Sequence, residues 1–94
     1  MSVLVIGGGI TGLAAARALA LGGAPVTLAE AGLRLGGKIA TERTGGLVLE
    51  MGPDSFLATR PAAVTLCREL GLGEELVATR DPRAVYIRHR GELL

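Results

Sequence analysis

The chain has 94 residues and a formal net charge of +1, with 49% hydrophobic residues, 15 glycines, one Phe, one Tyr, one Cys and no Trp. That length holds one small domain or part of a larger one, and a single cysteine excludes an internal disulfide and fits a reducing compartment. Balanced charge lacks the basic footprint of a nucleic-acid binder, so no nucleic-acid partner is expected.

The only charged side chain before Glu30 is Arg17, yet this apolar start does not read as a signal peptide or membrane span. No Lys or Arg precedes the apolar stretch, and Gly7-Gly8-Gly9 and Gly22-Gly23-Ala24-Pro25 break any long helix. The expectation is a cytoplasmic protein, with peripheral association at the cytoplasmic face of the membrane left open.

Val3-Leu4-Val5-Ile6 is a β-branched and aliphatic run, as expected of a strand buried on both faces of a parallel sheet. Residues 10–21 are rich in Ala and Leu and predict a helix, stopped by Gly22-Gly23 and barred from resuming by Pro25. Val26-Thr27-Leu28-Ala29 predicts a second buried strand. Strand, helix and strand make a βαβ unit of Rossmann type, so the fold class is α/β with a parallel sheet. Residues 31–38 predict a glycine-bearing loop. Residues 39–43 and 47–50, around Thr44-Gly45-Gly46, predict a β-hairpin. Pro61 opens a helix to about Leu70, closed by Gly71, with Ala63, Leu66, Cys67 and Leu70 facing a core. A last hairpin pairs residues 85–88 with Leu93-Leu94 around His89-Arg90-Gly91-Glu92. The four arginines between Arg80 and Arg90 read as a solvated face, and His89 as an exposed turn residue. No metal site is expected.

The chemistry begins with Gly7-x-Gly9-x-x-Gly12, placed between a strand and a helix. Gly7 allows a tight turn, Gly9 lets a pyrophosphate approach the backbone, and Gly12 lets helix and strand pack closely. The helix start at Ile10 and Thr11 offers unpaired N–H groups and the positive end of the helix dipole. Glu30, followed by Ala31, ends the second strand, where a carboxylate can accept both hydroxyls of an adenosine ribose and repel an added phosphate. To this point NAD and FAD both remain open.

Arg34-Leu35-Gly36-Gly37-Lys38 follows, with paired glycines that suit backbone lying against a ligand and an Arg suited to a charge-assisted phosphate contact. Behind a complete dinucleotide fingerprint it resembles the second motif of FAD enzymes of the glutathione-reductase class, which includes amine oxidases and phytoene desaturases. FAD is therefore the expected cofactor. The run from Gly36-Gly37-Lys38-Ile39 through Gly52-Pro53-Asp54-Ser55-Phe56-Leu57 resembles the protoporphyrinogen oxidase family, including its coproporphyrinogen-oxidising relatives, and the likeness continues to the final hairpin.

That resemblance implies several things. Gly52, Pro53, Asp54 and Ser55 would lie near the isoalloxazine ring. A porphyrinogen and molecular oxygen would be the substrates, with FAD as hydride acceptor and hydrogen peroxide as product. Residues 1–94 would be the N-terminal part of a discontinuous FAD-binding domain, with residues from about 80 on the start of a substrate domain. A C-terminal segment or another chain would be needed to complete this incomplete domain. No residue asks for a catalytic role, and Asp54 reads as a turn-stabilising carboxylate. The alternatives are an amine oxidase or carotenoid desaturase, a non-catalytic dinucleotide-binding fragment, and an NAD-binding regulatory module.

Overall fold

The computed structural model describes residues 1–81 and 84–94. Arg83, one of the four arginines of the 80–90 stretch, lies outside the described residues. The chain forms two compact units, Met1–Phe56 and Leu57–Leu94.

The first unit opens with β1 (Val3–Ile6), α1 (Ile10–Leu21) and β2 (Val26–Ala29). The strands are parallel, with Val3 beside Val26 and Ile6 beside Ala29. Val3 N donates to Pro25 O at 2.9 Å and Gly7 N to Ala29 O at 2.7 Å, which extends the pairing past both ends. Pro25 has no N–H to give, but its carbonyl is all this position needs. The helix covers one face only. Val3, Val5, Val26 and Leu28 are half-buried, while Leu4 and Ile6 point the other way and are 59% and 81% exposed. The strands have the composition of a pair covered on both faces, and in a domain expected to be incomplete one of those faces is uncovered. A single crossover helix shields one face of a two-stranded sheet, and the second face keeps its aliphatic residues in the open.

The helix ends as its glycines require. Gly23 takes φ +87, Ala24 N donates to Leu19 O and Gly23 N to Ala20 O, both at 3.0 Å. These are the paired bonds of a Schellman motif, which uses carbonyls the helix cannot satisfy itself.

The hairpin is β3 (Thr41–Thr44) and β4 (Leu47–Glu50), antiparallel with Thr44 beside Leu47. Thr44 belongs to the strand rather than the turn, and Ile39 and Ala40 precede it. Gly45 and Gly46 alone make the turn, at φ +54 and +77. Positive φ at both positions gives the two-residue loop whose twist matches its strands.

In the second unit, α2 (Pro61–Glu69) has Pro at its start and ends in the same motif. Leu72 N donates to Cys67 O at 2.7 Å, Gly71 N to Arg68 O at 3.1 Å, and Gly71 sits at φ +77. A short 3-10 turn, Gly73–Glu75, follows it and was not expected. Ala63, Leu66 and Cys67 are half-buried as expected, but Leu70 is 51% exposed, because it lies past the last helical turn. The last hairpin is shorter than expected: β5 (Arg88–His89) and β6 (Glu92–Leu93) turn through Arg90 and Gly91, so His89 is a strand residue. Among the described residues no helix is long and apolar enough to cross a membrane.

The two glycines after α1 separate conformational from steric demand. Gly23 has open space where a Cβ would lie, so Gly23→Ala pays only for its positive φ, about 1 kcal/mol. Gly22 has φ −76, and a Cβ there meets only ordinary contacts. Denaturant titration should show Gly23→Ala losing stability and Gly22→Ala keeping or gaining it.

Candidate functional site

The site is built where β1 gives way to α1. Gly7 leaves the strand at φ +99, a conformation that side chains other than hydrogen disfavour. Gly12 comes back against it, and a Cβ on Gly12 would overlap the Gly7 carbonyl, with Val5 Cγ1 at 3.6 Å behind. Close packing of turn and helix, expected of Gly12, is what the structure shows. Gly9 behaves differently. It caps the helix with φ −77, a value open to any residue, and no atom lies within 4 Å of its Cβ position. The space above Gly9 is free, as a cradle for a ligand must be.

No side chain caps α1, and no acid stands in its first turn. The first-turn N–H groups have no intrahelical partner. Leu13 N is the first to find one, donating to Gly9 O at 2.9 Å. Ile10 and Thr11 are exposed at this end. A free turn of donors with positive dipole and no competing carboxylate suits a phosphate.

Glu30 follows β2 and reaches back across the turn. Gly8 N donates to its Oε1 at 3.0 Å and Gly32 N to its Oε2 at 2.6 Å. These two bonds, Gly32's the stronger, hold its carboxyl below the usual carboxylate range; the Ala31 N–H and the Arg34 charge act in the same sense, and slight desolvation of this exposed group opposes them. Two bonds leave a carboxylate room for more donors. Gly8 is the buried centre of this arrangement. A Cβ there would strike Leu35 Cδ2 at 2.5 Å, and Glu30 Oε1 and Leu28 Cδ2 lie 3.3 Å away.

The second loop lies against the first. Gly36 N donates to Gly8 O at 2.8 Å, and Gly37, at φ +59, would place a Cβ 3.2 Å from Gly9 Cα. Arg34 does not extend toward open space. Its Nη2 donates to Gly37 O at 2.7 Å, and its Nη1 to Leu35 O at 3.0 Å and Ile39 O at 3.2 Å. The carbonyl of Lys38 occupies the place where a Cβ of Gly52 would be, and Met51 N donates to Ala40 O at 2.8 Å. The demand for glycine at 52 therefore arises inside the protein. Pro53, Asp54 and Ser55 are exposed, and the Ser55 hydroxyl donates to Asp54 Oδ1 at 3.2 Å.

Gly7, Gly9, Ile10, Thr11, Gly12, Glu30, Ala31, Arg34, Gly36 and Gly37 thus share one neighbourhood, and Lys38 connects it through its carbonyl to Gly52. Sequence reasoning passed over Gly8 and Gly32. Their signals were a third glycine where the motif asks for two, and a glycine two places after the strand-end acid. The cradle at Gly9, the uncapped helix start and the charged Glu30 together fit a dinucleotide.

Comparison with known proteins gives these features a family setting. The family described as flavin containing amine oxidoreductase matches residues 10–93. The coproporphyrinogen III oxidase of Propionibacterium freudenreichii subsp. freudenreichii is 47% identical over 91 residues, covering 97% of this chain and 17% of that protein. Polyamine oxidase 5 of Oryza sativa subsp. japonica is 53% identical over 90 residues, covering 94% of this chain and 18% of its own length. Among solved structures, a protein assigned as a protoporphyrinogen oxidase from Exiguobacterium sp. 255-15 superposes with a TM-score of 0.68 at 49% identity. That match covers 76% of this chain and 16% of the other. The chain therefore spans about a fifth or less of the length of these relatives.

The bonds at Glu30 fix a pH dependence. A lowered folded pKa means that its stabilising contribution is complete above its ordinary value of 4.5 and is lost as pH falls through the lowered value. In an acid titration followed by NMR, the Gly8 and Gly32 amides should shift together with a midpoint below 4.5. A midpoint above that value, or amides that move independently, would contradict the shared carboxylate.

Proposed function

Because this chain belongs to the flavin containing amine oxidoreductase family, we propose that it is the FAD-binding segment of an oxygen-dependent porphyrinogen oxidase of haem biosynthesis, acting on coproporphyrinogen or protoporphyrinogen. The observation that carries this reading is the 47% identity to a coproporphyrinogen III oxidase across 97% of the chain, a span that includes the Gly52-Pro53-Asp54-Ser55-Phe56 run. The likeness to polyamine oxidase 5 favours a second reading, oxidation of an amine by the same cofactor.

The chain's own residues hold the adenosine and pyrophosphate end of FAD. The open backbone at Gly9 and the first-turn N–H groups of α1 receive the pyrophosphate. Glu30, charged at neutral pH and held by Gly8 and Gly32, accepts from the ribose hydroxyls with its remaining lone pairs. Its charge disfavours a phosphate on that ribose. Gly8, Gly12 and Gly52 contribute through close packing, which sets the path of the backbone and leaves the ligand side clear. Bound FAD supplies the acceptor for two-electron oxidation of the macrocycle, with molecular oxygen reduced to hydrogen peroxide in each round. None of the residues gathered here is assigned as an acid or base in that reaction. The activity is proposed for the protein as a whole.

Supplied with coproporphyrinogen III or protoporphyrinogen IX in air, the flavin-loaded protein should produce porphyrin fluorescence and hydrogen peroxide. Peroxide formed with polyamines and none with porphyrinogens would replace this reading with the second.

Gly9 and Gly12 divide binding from folding. Gly9→Ala has room for its methyl in the protein itself, so the fold should hold while FAD affinity falls by at least about tenfold. Gly12→Ala meets the Gly7 carbonyl and should lower thermal stability and FAD retention together. Equal loss of stability in both variants would show that Gly9 is a folding requirement instead.

A further inference from the structure

Arg34 turns both terminal nitrogens of its guanidinium onto its own loop. Three carbonyls, of Leu35, Gly37 and Ile39, sit 2.7–3.2 Å from its two terminal nitrogens. Those carbonyls span the bend that carries Gly36 and Gly37, both at positive φ. The bend has little else to fix it locally, apart from Ile39 N donating to Gly36 O at 3.0 Å. Yet it is the part of the loop that touches the first motif, through Gly36 N on Gly8 O and Gly37 against Gly9 Cα. A planar fork reaches the three carbonyls from two nitrogens held in fixed directions. An ammonium has three donors, but all on one atom at the end of a flexible stem, and does not reproduce that geometry.

We propose that Arg34 is a positioning residue. Its guanidinium fastens the carbonyls of Leu35, Gly37 and Ile39, so that Gly36 and Gly37 brace the Gly8-Gly9 turn before any cofactor arrives. It acts through the shape of the loop, and the phosphate contact expected from its charge is not its task. The consequence for binding rests on the FAD reading; the bracing of the loop does not.

The shape and charge roles separate in Arg34→Lys, which keeps the charge and loses the fork, beside Arg34→Ala, which loses both. The first measurement is amide hydrogen exchange in the flavin-depleted protein at Gly36 and Ile39, with Gly7, bonded to Ala29 O, as internal reference. Both variants should exchange at least about tenfold faster at Gly36 and Ile39, with Gly7 unchanged. The second is FAD affinity against salt concentration. Both variants should weaken binding to a similar degree and keep the salt dependence of the wild type.

Unchanged exchange in Arg34→Ala would overturn the proposal. So would a faster Gly7 in step with Gly36, which would make Arg34 a support of the whole unit. Wild-type FAD affinity in Arg34→Lys, with a shallower salt dependence in Arg34→Ala, would return Arg34 to the phosphates. A wild-type protein that binds no FAD would end the flavin reading while the exchange measurement still decided the role of Arg34.

Discussion

A chain that turns from a strand into a helix through three glycines carries backbone donors that neither element can use. Gly8 N is such a donor, buried at the middle of the turn, and a buried N–H without an acceptor costs about 1–3 kcal/mol. Its acceptor comes from across the parallel pair, where β2 ends in Glu30. The same carboxylate takes Gly32 N from the start of the next loop. One side chain thereby joins the first turn, the second strand and the second loop. The rest of the site is hung on that junction, since Gly36, Gly37 and Arg34 are placed by a loop whose beginning Glu30 holds.

The glycines around this junction serve three separate needs. Gly7, Gly36 and Gly37 take backbone angles that a Cβ resists. Gly12 and Gly52 approach a carbonyl too closely for any side chain. Gly8 and Gly32 are crowded by side chains, Leu35 and Glu30 foremost. Gly9 has neither a positive φ nor a neighbour at its Cβ position, which singles it out as the place kept clear for something outside the protein. The distinction matters for Gly52. Its likeness to flavin-facing motifs pointed outward, while the Lys38 carbonyl supplies a sufficient reason within the chain.

Much of this was legible before any coordinates. The span of α1 and both its strands followed from an aliphatic run, an Ala-rich stretch and paired glycines, because short local patterns bounded by glycine admit few other structures. Flavin followed from the resemblance of the Arg34 to Lys38 run, behind the dinucleotide fingerprint, to the second motif of FAD enzymes, and family membership supports it. What could not be read were properties set by neighbours distant in sequence. Which of the strand residues stand on the open face, Leu4 and Ile6, depends on the side that α1 takes, which a strand's own residues do not state. The inward turn of Arg34 depends on three carbonyls converging, and a sequence shows only that an arginine precedes two glycines. The role of Gly8 needed the position of Glu30 Oε1. Turn boundaries shifted by a residue because Gly45-Gly46 and Arg90-Gly91 close two-residue loops without help from Thr44 or His89.

The pairing of Val3 with Val26 across a single helix also bears on the order of folding. The two strands are parallel and meet only across the intervening helix, and such pairings carry their loop-closure cost before their contacts form, which makes them slow. The glycine turn, α1, β2 and the Glu30 bridge all lie within residues 3–32, so one contiguous stretch specifies this corner. While the pair stands with one aliphatic face bare, Leu4 and Ile6 are in water. An uncovered face of that kind invites association between copies. The two strands that build the nucleotide corner are thus also its liability in isolation.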